Sequence, residues 1–204
     1  MLDTRLSWLV LLTAIVSLFF PWFPALIDPL LIHTAVRSIE NIQAFMLFGF
    51  AIFTLFYMKP WQLQEGKKQF WFWAVCWWIL LFGRSISWGR DYFPDVPKIY
   101  FRGISIILIG NVVFMLFSPQ LRKEITHKFK TFSLPLWPFL LAVAGLIISD
   151  AIEHLRAIHT LFLSDLKHQS LIEELYEFPL ILGLFLTAFV FMKKDNLGIN
   201  SKQS

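Results

Sequence analysis

IISDAIEHLRAIHTLFLSDLKHQSLIEELYEFPLI, residues Ile147 to Ile181, holds six of the chain's fourteen acids. It joins the end of one apolar run to the start of the next, and it sets Asp150, Glu153, His154, Glu173, Glu174 and Glu177 at or just inside the junctions. Charge at the edge of a hydrocarbon layer is unfavourable unless it is paired. The stretch therefore predicts two membrane-spanning helices joined by a polar turn, and a place where ionisable side chains meet.

The rest of the 204 residues supports a membrane reading. Hydrophobic residues make up 57% of the chain and aromatic residues 18%, with nine Trp and twenty-three Phe, whereas charged residues reach only 16%; a soluble domain carries about 25%. Six runs approach the ~20 apolar residues needed to cross a bilayer: Arg5 to Ile27, Val36 to Met58, Gln69 to Trp88, Tyr100 to Ser118, Leu134 to Thr160 and Ser170 to Met192. None shows the two-residue alternation of a barrel strand. The expected fold is all-α: a polytopic transmembrane helix bundle of about six spans, one domain over 1–204, without a soluble domain. The connections KPWQLQEGKKQ and SPQLRKEITHKFKTFSLP read as polar loops, and 193–204 reads as a flexible cytoplasmic tail. No small-residue cleavage site follows the first run, so it reads as a retained helix. Pro21, Pro24 and Pro29 should end or bend that helix, and Pro179 should kink the last one.

Charge sorts by side. With six spans, one side holds eleven cations, nine of them Lys, against four acids; the other holds seven cations, five of them Arg, against ten acids. The positive-inside rule makes the first side cytoplasmic, with both termini there, in a bacterial inner membrane. The basic residues lie in short loops between apolar runs, so the net charge of +4 gives no nucleic-acid footprint. The lone cysteine, Cys76, excludes an intrachain disulfide and a cysteine-based metal motif.

On the second side the polar residues fall at helical spacing. His33, Arg37, Glu40, Asn41 and Ala44 form one stripe, Arg84, Ser87, Trp88 and Asp91 another, Asp150, Glu153 and His154 lie one turn apart, and Glu173, Glu174 and Glu177 share a face. Arginine is suited to forked, desolvated pairing with carboxylates. The candidate site is therefore a cluster of Arg37, Glu40, Arg84, Arg90, Asp150, Glu153, His154, Glu174 and Glu177, in which Arg84 sits below the outer boundary and needs an acid. A divalent metal on Asp150, His154 and Glu177 is conceivable from ligand type, but the arginines would compete with it and it is not favoured. No GxSxG, HExxH or glycine-rich phosphate loop occurs.

SIENIQAFMLF, LLFGRSISWGRDYFP before a basic FRG, and SDAIEH followed by LIEELYE together resemble a family of small bacterial inner-membrane proteins of uncharacterised activity. The resemblance covers Ser38 to about Phe191. It implies six helices, an SWGR-like end to the third and an acidic last pair, and it draws attention to Glu40, Arg84, Arg90, Asp150, Glu153, Glu174 and Glu177. Relatives often carry an acid directly after the first arginine of that third helix, where this chain has Ser85. Three functions fit: binding or transport of an ion, proton or lipid headgroup at the cluster; a membrane enzyme, with or without a metal, acting on a lipid; or an accessory subunit whose ion pairs order the bundle. The lipid bilayer is the one partner the sequence names, and no protein partner follows from it.

Overall fold

The structure is a computed structural model that describes residues 2–90, 92–163 and 165–200, with side chains as far as Asn196. Its described residues form seven α-helices: α1 (Trp8–Leu18), α2 (Ile32–Met58), α3 (Glu65–Ser85), α4 (Lys98–Met115), α5 (Pro119–Thr131), α6 (Leu136–Glu153) and α7 (Gln169–Asn200). Two short extended pieces, β1 (Leu2–Asp3) and β2 (Leu134–Pro135), pair in parallel, Leu2 opposite Leu134. The all-α expectation holds.

Four helical segments are long and apolar enough to cross a membrane: Pro29–Gln62, Lys98–Met115, Leu136–Glu153 and Leu166–Asn196. A fifth arises if α1 and the 3₁₀ helix Phe20–Leu26, bent from it by 56°, count as one span. That bend sits where Pro21 and Pro24 were expected to cause it. Among the described residues four or five segments thus meet that measure; α3, the remaining expected span, does not, because it begins with Glu65, Lys67 and Lys68 and spends four positions on tryptophan. Large apolar side chains face outward along the spans, among them Phe45, Ile106, Ile107 and Phe114. Such a surface is stable only against lipid or a partner.

The chain divides into two compact units. The first comprises the residues through Glu40 together with those from Ser133 onward, and the second comprises Asn41–Phe132; α2 belongs partly to each.

In the first unit α6 and α7 pack backbone to backbone. A Cβ on Gly145 would lie 2.5 Å from the Leu180 nitrogen, and one on Gly183 would lie 2.5 Å from the Ala142 nitrogen. Without a hydrophobic drive between helices in lipid, small residues that allow such approach provide the attraction. One end of this pair carries the core of Phe20, Ile152, Leu163, Leu171, Ile172, Leu175 and Tyr176, joined by Ala35, Val36 and Ile39 of α2. Tyr176 takes Phe20 and Phe162 edge-on, at 5.3 and 5.4 Å between centroids. Its hydroxyl donates to the Ser17 carbonyl at 3.1 Å. In a continuing α-helix that carbonyl would accept from residue 21, which is proline and has no N–H; the phenol supplies the hydrogen bond instead.

α7 runs unbroken through Pro179 to Asn200. The segment expected as a tail from Lys193 is thus helical that far, and it is tied down. Lys194 Nζ donates to the Ser133 carbonyl and hydroxyl at 2.8 and 2.6 Å, and Met192 and Asp195 are buried. Residues 201–204 lie outside the described residues.

The second unit is built on α3. Trp73 Nε1 donates to the Val112 carbonyl at 3.1 Å, and Asn111 Nδ2 approaches Cys76 Sγ at 3.5 Å, so both link α3 to α4. The expected polar loop after Ser118 is the helix α5, with Pro119 in its first turn and Leu121 and Lys128 buried. Lys128 Nζ pairs with Glu124 Oε1 at 3.2 Å. It also lies 4.6, 5.4 and 4.9 Å from the ring centres of Phe70, Trp71 and Phe132.

Candidate functional site: the acidic end of α6 and α7

α6 ends earlier than the apolar pattern suggests. The span expected to reach Thr160 stops at Glu153, and Leu155 adopts a left-handed backbone, φ 49°. The Arg156 N–H then bonds the Ala151 carbonyl at 2.8 Å and the Leu155 N–H the Ile152 carbonyl at 3.3 Å, the Schellman way of closing a helix. From α7, Gln169 Nε2 donates to the carbonyls of Ile152 and Glu153, both at 3.0 Å. The Glu153 carbonyl at the helix end is thereby satisfied, and the Ile152 carbonyl gains a second donor.

The reversal carries Arg156 back over Asp150. Nε meets Oδ2 at 3.0 Å and Nη2 meets Oδ1 at 3.1 Å, a forked pair. Their side chains are 61% and 36% exposed, so the pair is worth at most about 1 kcal/mol and mainly fixes the turn. His154 Nδ1 lies 3.2 Å from the Asp150 carbonyl, 3.5 Å from its carboxylate and 3.7 Å from Glu153 Oε2. His159 Nδ1 is 2.7 Å from the Arg156 carbonyl. Asp150, Glu153, His154 and Arg156 therefore form one small constellation.

Glycine suits the left-handed site far better than leucine, whose Cβ crowds the following carbonyl at a cost of about 1–2 kcal/mol. Leu155 is 44% exposed and contributes little burial in exchange. Leu155→Gly should therefore raise stability by about 1 kcal/mol, read as a higher thermal midpoint in detergent, while β-branched Leu155→Val should lower it.

The other expected residues fall as follows. Glu173, Glu174 and Glu177 are half-buried on α7, flanking the face that buries Leu171, Ile172, Leu175 and Tyr176. None of these three acids, nor Glu40 or Arg90, is without a partner. On α2 the residues packed against the core are Ala35, Val36 and Ile39, while Arg37 and His33 are exposed and Glu40 is half-buried.

Arg84 and Arg90 belong to the second unit. Arg84 is exposed in the last turn of α3, where the helix's negative end favours a cation. The stripe expected to run on through Ser87 and Trp88 is broken, because Ser87, Trp88 and Gly89 all have positive φ, 48°, 60° and 94°. This left-handed turn folds the indole of Trp88 onto Gly83, where a Cβ would lie 2.7 Å from the ring. The SWGR signature is thus a helix stop. Asp91 lies outside the described residues.

Among the described residues no three His, Cys, Asp or Glu side chains come together as a metal would require, so Asp150, His154 and Glu177 do not form such a group. What the sequence reading missed is Arg156 as the partner of Asp150 and Gln169 as the cap. A six-residue separation matches no helical period, and neither Gly nor Pro marks the stop.

Compared with protein-family models, with curated proteins and with solved structures, the chain matches none.

Proposed function

We propose that this is a bacterial inner-membrane protein that binds a cation, a proton or a positively charged lipid headgroup at the acidic end of α6 and α7. The observation that carries the reading is a charge imbalance. Between Asp150 and Glu177 stand six acids and two cations, and one of those cations, Arg156, is committed to Asp150. A surplus of carboxylates at a membrane boundary is tolerated where positive charge can reach it. Glu173, Glu174 and Glu177 supply the acceptors, and Glu153 with His154 stands on the facing helix end.

Six spans remain the topology of the proposal. α3 has 21 residues, about 31 Å at 1.5 Å per residue, which is bilayer length, and its indoles suit the interfaces. Together with the bent α1 segment it brings the number to six and puts both termini on the lysine-rich, cytoplasmic side. The SWGR-like turn and the acidic last pair support placing the chain with the small inner-membrane proteins that it resembles.

The test is the melting of the purified full chain in detergent with sodium, potassium, magnesium, calcium or choline chloride, against a salt-free buffer. A ligand at about 100 times its Kd stabilises by about 2.7 kcal/mol, so one cation should raise the midpoint by several degrees. Glu174→Gln with Glu177→Gln should abolish the rise and leave the salt-free midpoint close to wild type. A proton ligand would show instead as pH-dependent melting that the same double variant flattens. Melting indifferent to cation and pH, or unaltered in the variant, overturns the proposal.

A further inference from the structure

At the opposite end of the first unit, a cavity of about 420 Å³ opens between the N-terminal segment and the ends of α6 and α7. It is separate from the acidic end: α6 alone, Leu136–Glu153, spaces the two by about 26 Å at 1.5 Å per residue. Its lining includes Leu6, Leu9, Pro138, Leu186, Phe189 and Val190, together with Arg5 and Lys193. Both cations are exposed. Lys193 Nζ lies 4.6 Å from the centre of the Phe189 ring, which ties the ammonium to the cavity lining. The lining also contains Asp3, whose Oδ1 accepts the Arg5 backbone N–H at 3.2 Å and so faces its own turn.

Depth is marked independently. Trp137 Nε1 donates to the Thr4 carbonyl at 2.9 Å, and Trp8 is 70% exposed. Indoles so placed belong to the level of lipid headgroups. Two exposed cations beside an apolar slot at that level match one class of molecule: a phosphate carrying hydrocarbon chains.

We infer that this cavity is a binding site for an anionic phospholipid, its phosphate between Arg5 and Lys193 and the start of an acyl chain along Leu6, Leu9, Leu186 and Val190. The volume lies within the range of small-molecule sites. Cations near an anionic leaflet attract such lipids wherever they lie; a slot with apolar walls adds selection for the chain. The site would sit on the cytoplasmic side, opposite the acidic end, and does not depend on the function proposed there.

The test is native mass spectrometry of the full chain released from mixed micelles containing equal dioleoylphosphatidylglycerol and dioleoylphosphatidylcholine. The wild type should retain the glycerol lipid at least fivefold over the choline lipid. Arg5→Ala with Lys193→Ala should bring the ratio near one, Arg5→Lys should preserve it, and Arg122→Ala with Lys123→Ala, in the second unit, should leave it intact. Equal retention in the wild type overturns the inference, as does a preference that survives loss of both cations. Displacement of the lipid by millimolar inorganic phosphate alone would also overturn it, by showing a site for free anions rather than lipid. If the alanine pair does not fold, the charge-reversed pair Arg5→Glu with Lys193→Glu decides by the same ratio.

Discussion

Gly145→Ala and Gly183→Ala should each lower the stability of the first unit by about 3 kcal/mol, the upper part of the usual range for overpacking. In most cores an added methyl is absorbed by rotamer changes, but here it meets backbone. At Gly145 it would press on Leu180 N at 2.5 Å and the Tyr176 carbonyl at 3.0 Å; at Gly183 it would press on Ala142 N at 2.5 Å and the Pro138 carbonyl at 2.7 Å. Only separation of α6 from α7 relieves either clash, and one separation relieves both. The double variant should therefore cost clearly less than the sum of the singles. Gly49→Ala and Gly110→Ala provide the contrast, since nothing lies within 4 Å of an added Cβ at either position. There alanine's better helix propensity should leave stability unchanged or raise it by up to about 1 kcal/mol. Midpoints of denaturant unfolding in mild detergent separate the two pairs; equal effects at all four glycines would sink the idea that the helices touch through backbone.

Lys128→Ala should destabilise the second unit by about 3–5 kcal/mol, the usual effect of removing one partner from a buried ion pair. The Lys128 and Glu124 side chains are only 4% and 13% exposed, so the remaining carboxylate would be left desolvated. The ammonium also contacts three rings, and cation–π contacts contribute up to about 2 kcal/mol each when desolvated. Lys128→Met combined with Glu124→Gln should recover most of the loss, because an apolar side chain of similar length fills the aromatic box and the lone charge is gone. Denaturant unfolding of the single and double variants checks this. A single variant as stable as wild type would show that the box contributes no stability.

The apolar runs made the helical class legible, since lipid leaves few alternatives for backbone polar groups. Helix ends were harder to read. Pro21 and Pro24 announced the bend after Leu18, whereas nothing announced the stop at Glu153, which a leucine makes by taking a conformation usually left to glycine. α5 was concealed by its polarity. Its start, Ser118 before Pro119, is a recognisable helix opening, but a segment rich in Lys, Glu and His next to apolar spans reads first as loop. At the candidate site the acids could be named from spacing alone. The identity of the Asp150 partner could not, because it depends on a reversal of the chain that brings Arg156 back across the turn. The spacing that allows α6 and α7 to touch, Gly145 against Leu180 and Gly183 against Ala142, is a property of two helices together and of neither alone.

The first unit is assembled from the two ends of its chain, with about ninety residues of the second unit between them. Translation at about 5–20 residues per second takes on the order of 5–20 s to pass through that insert. For this interval α1 has left the ribosome while the helices that complete its packing do not yet exist. The hydrogen bond from Tyr176 to Ser17 links residues 159 apart and is among the last contacts that synthesis permits. During biogenesis the first hydrophobic segment must be held by lipid or by the insertion machinery, and the order of assembly, second unit before first, is written into the order of the chain.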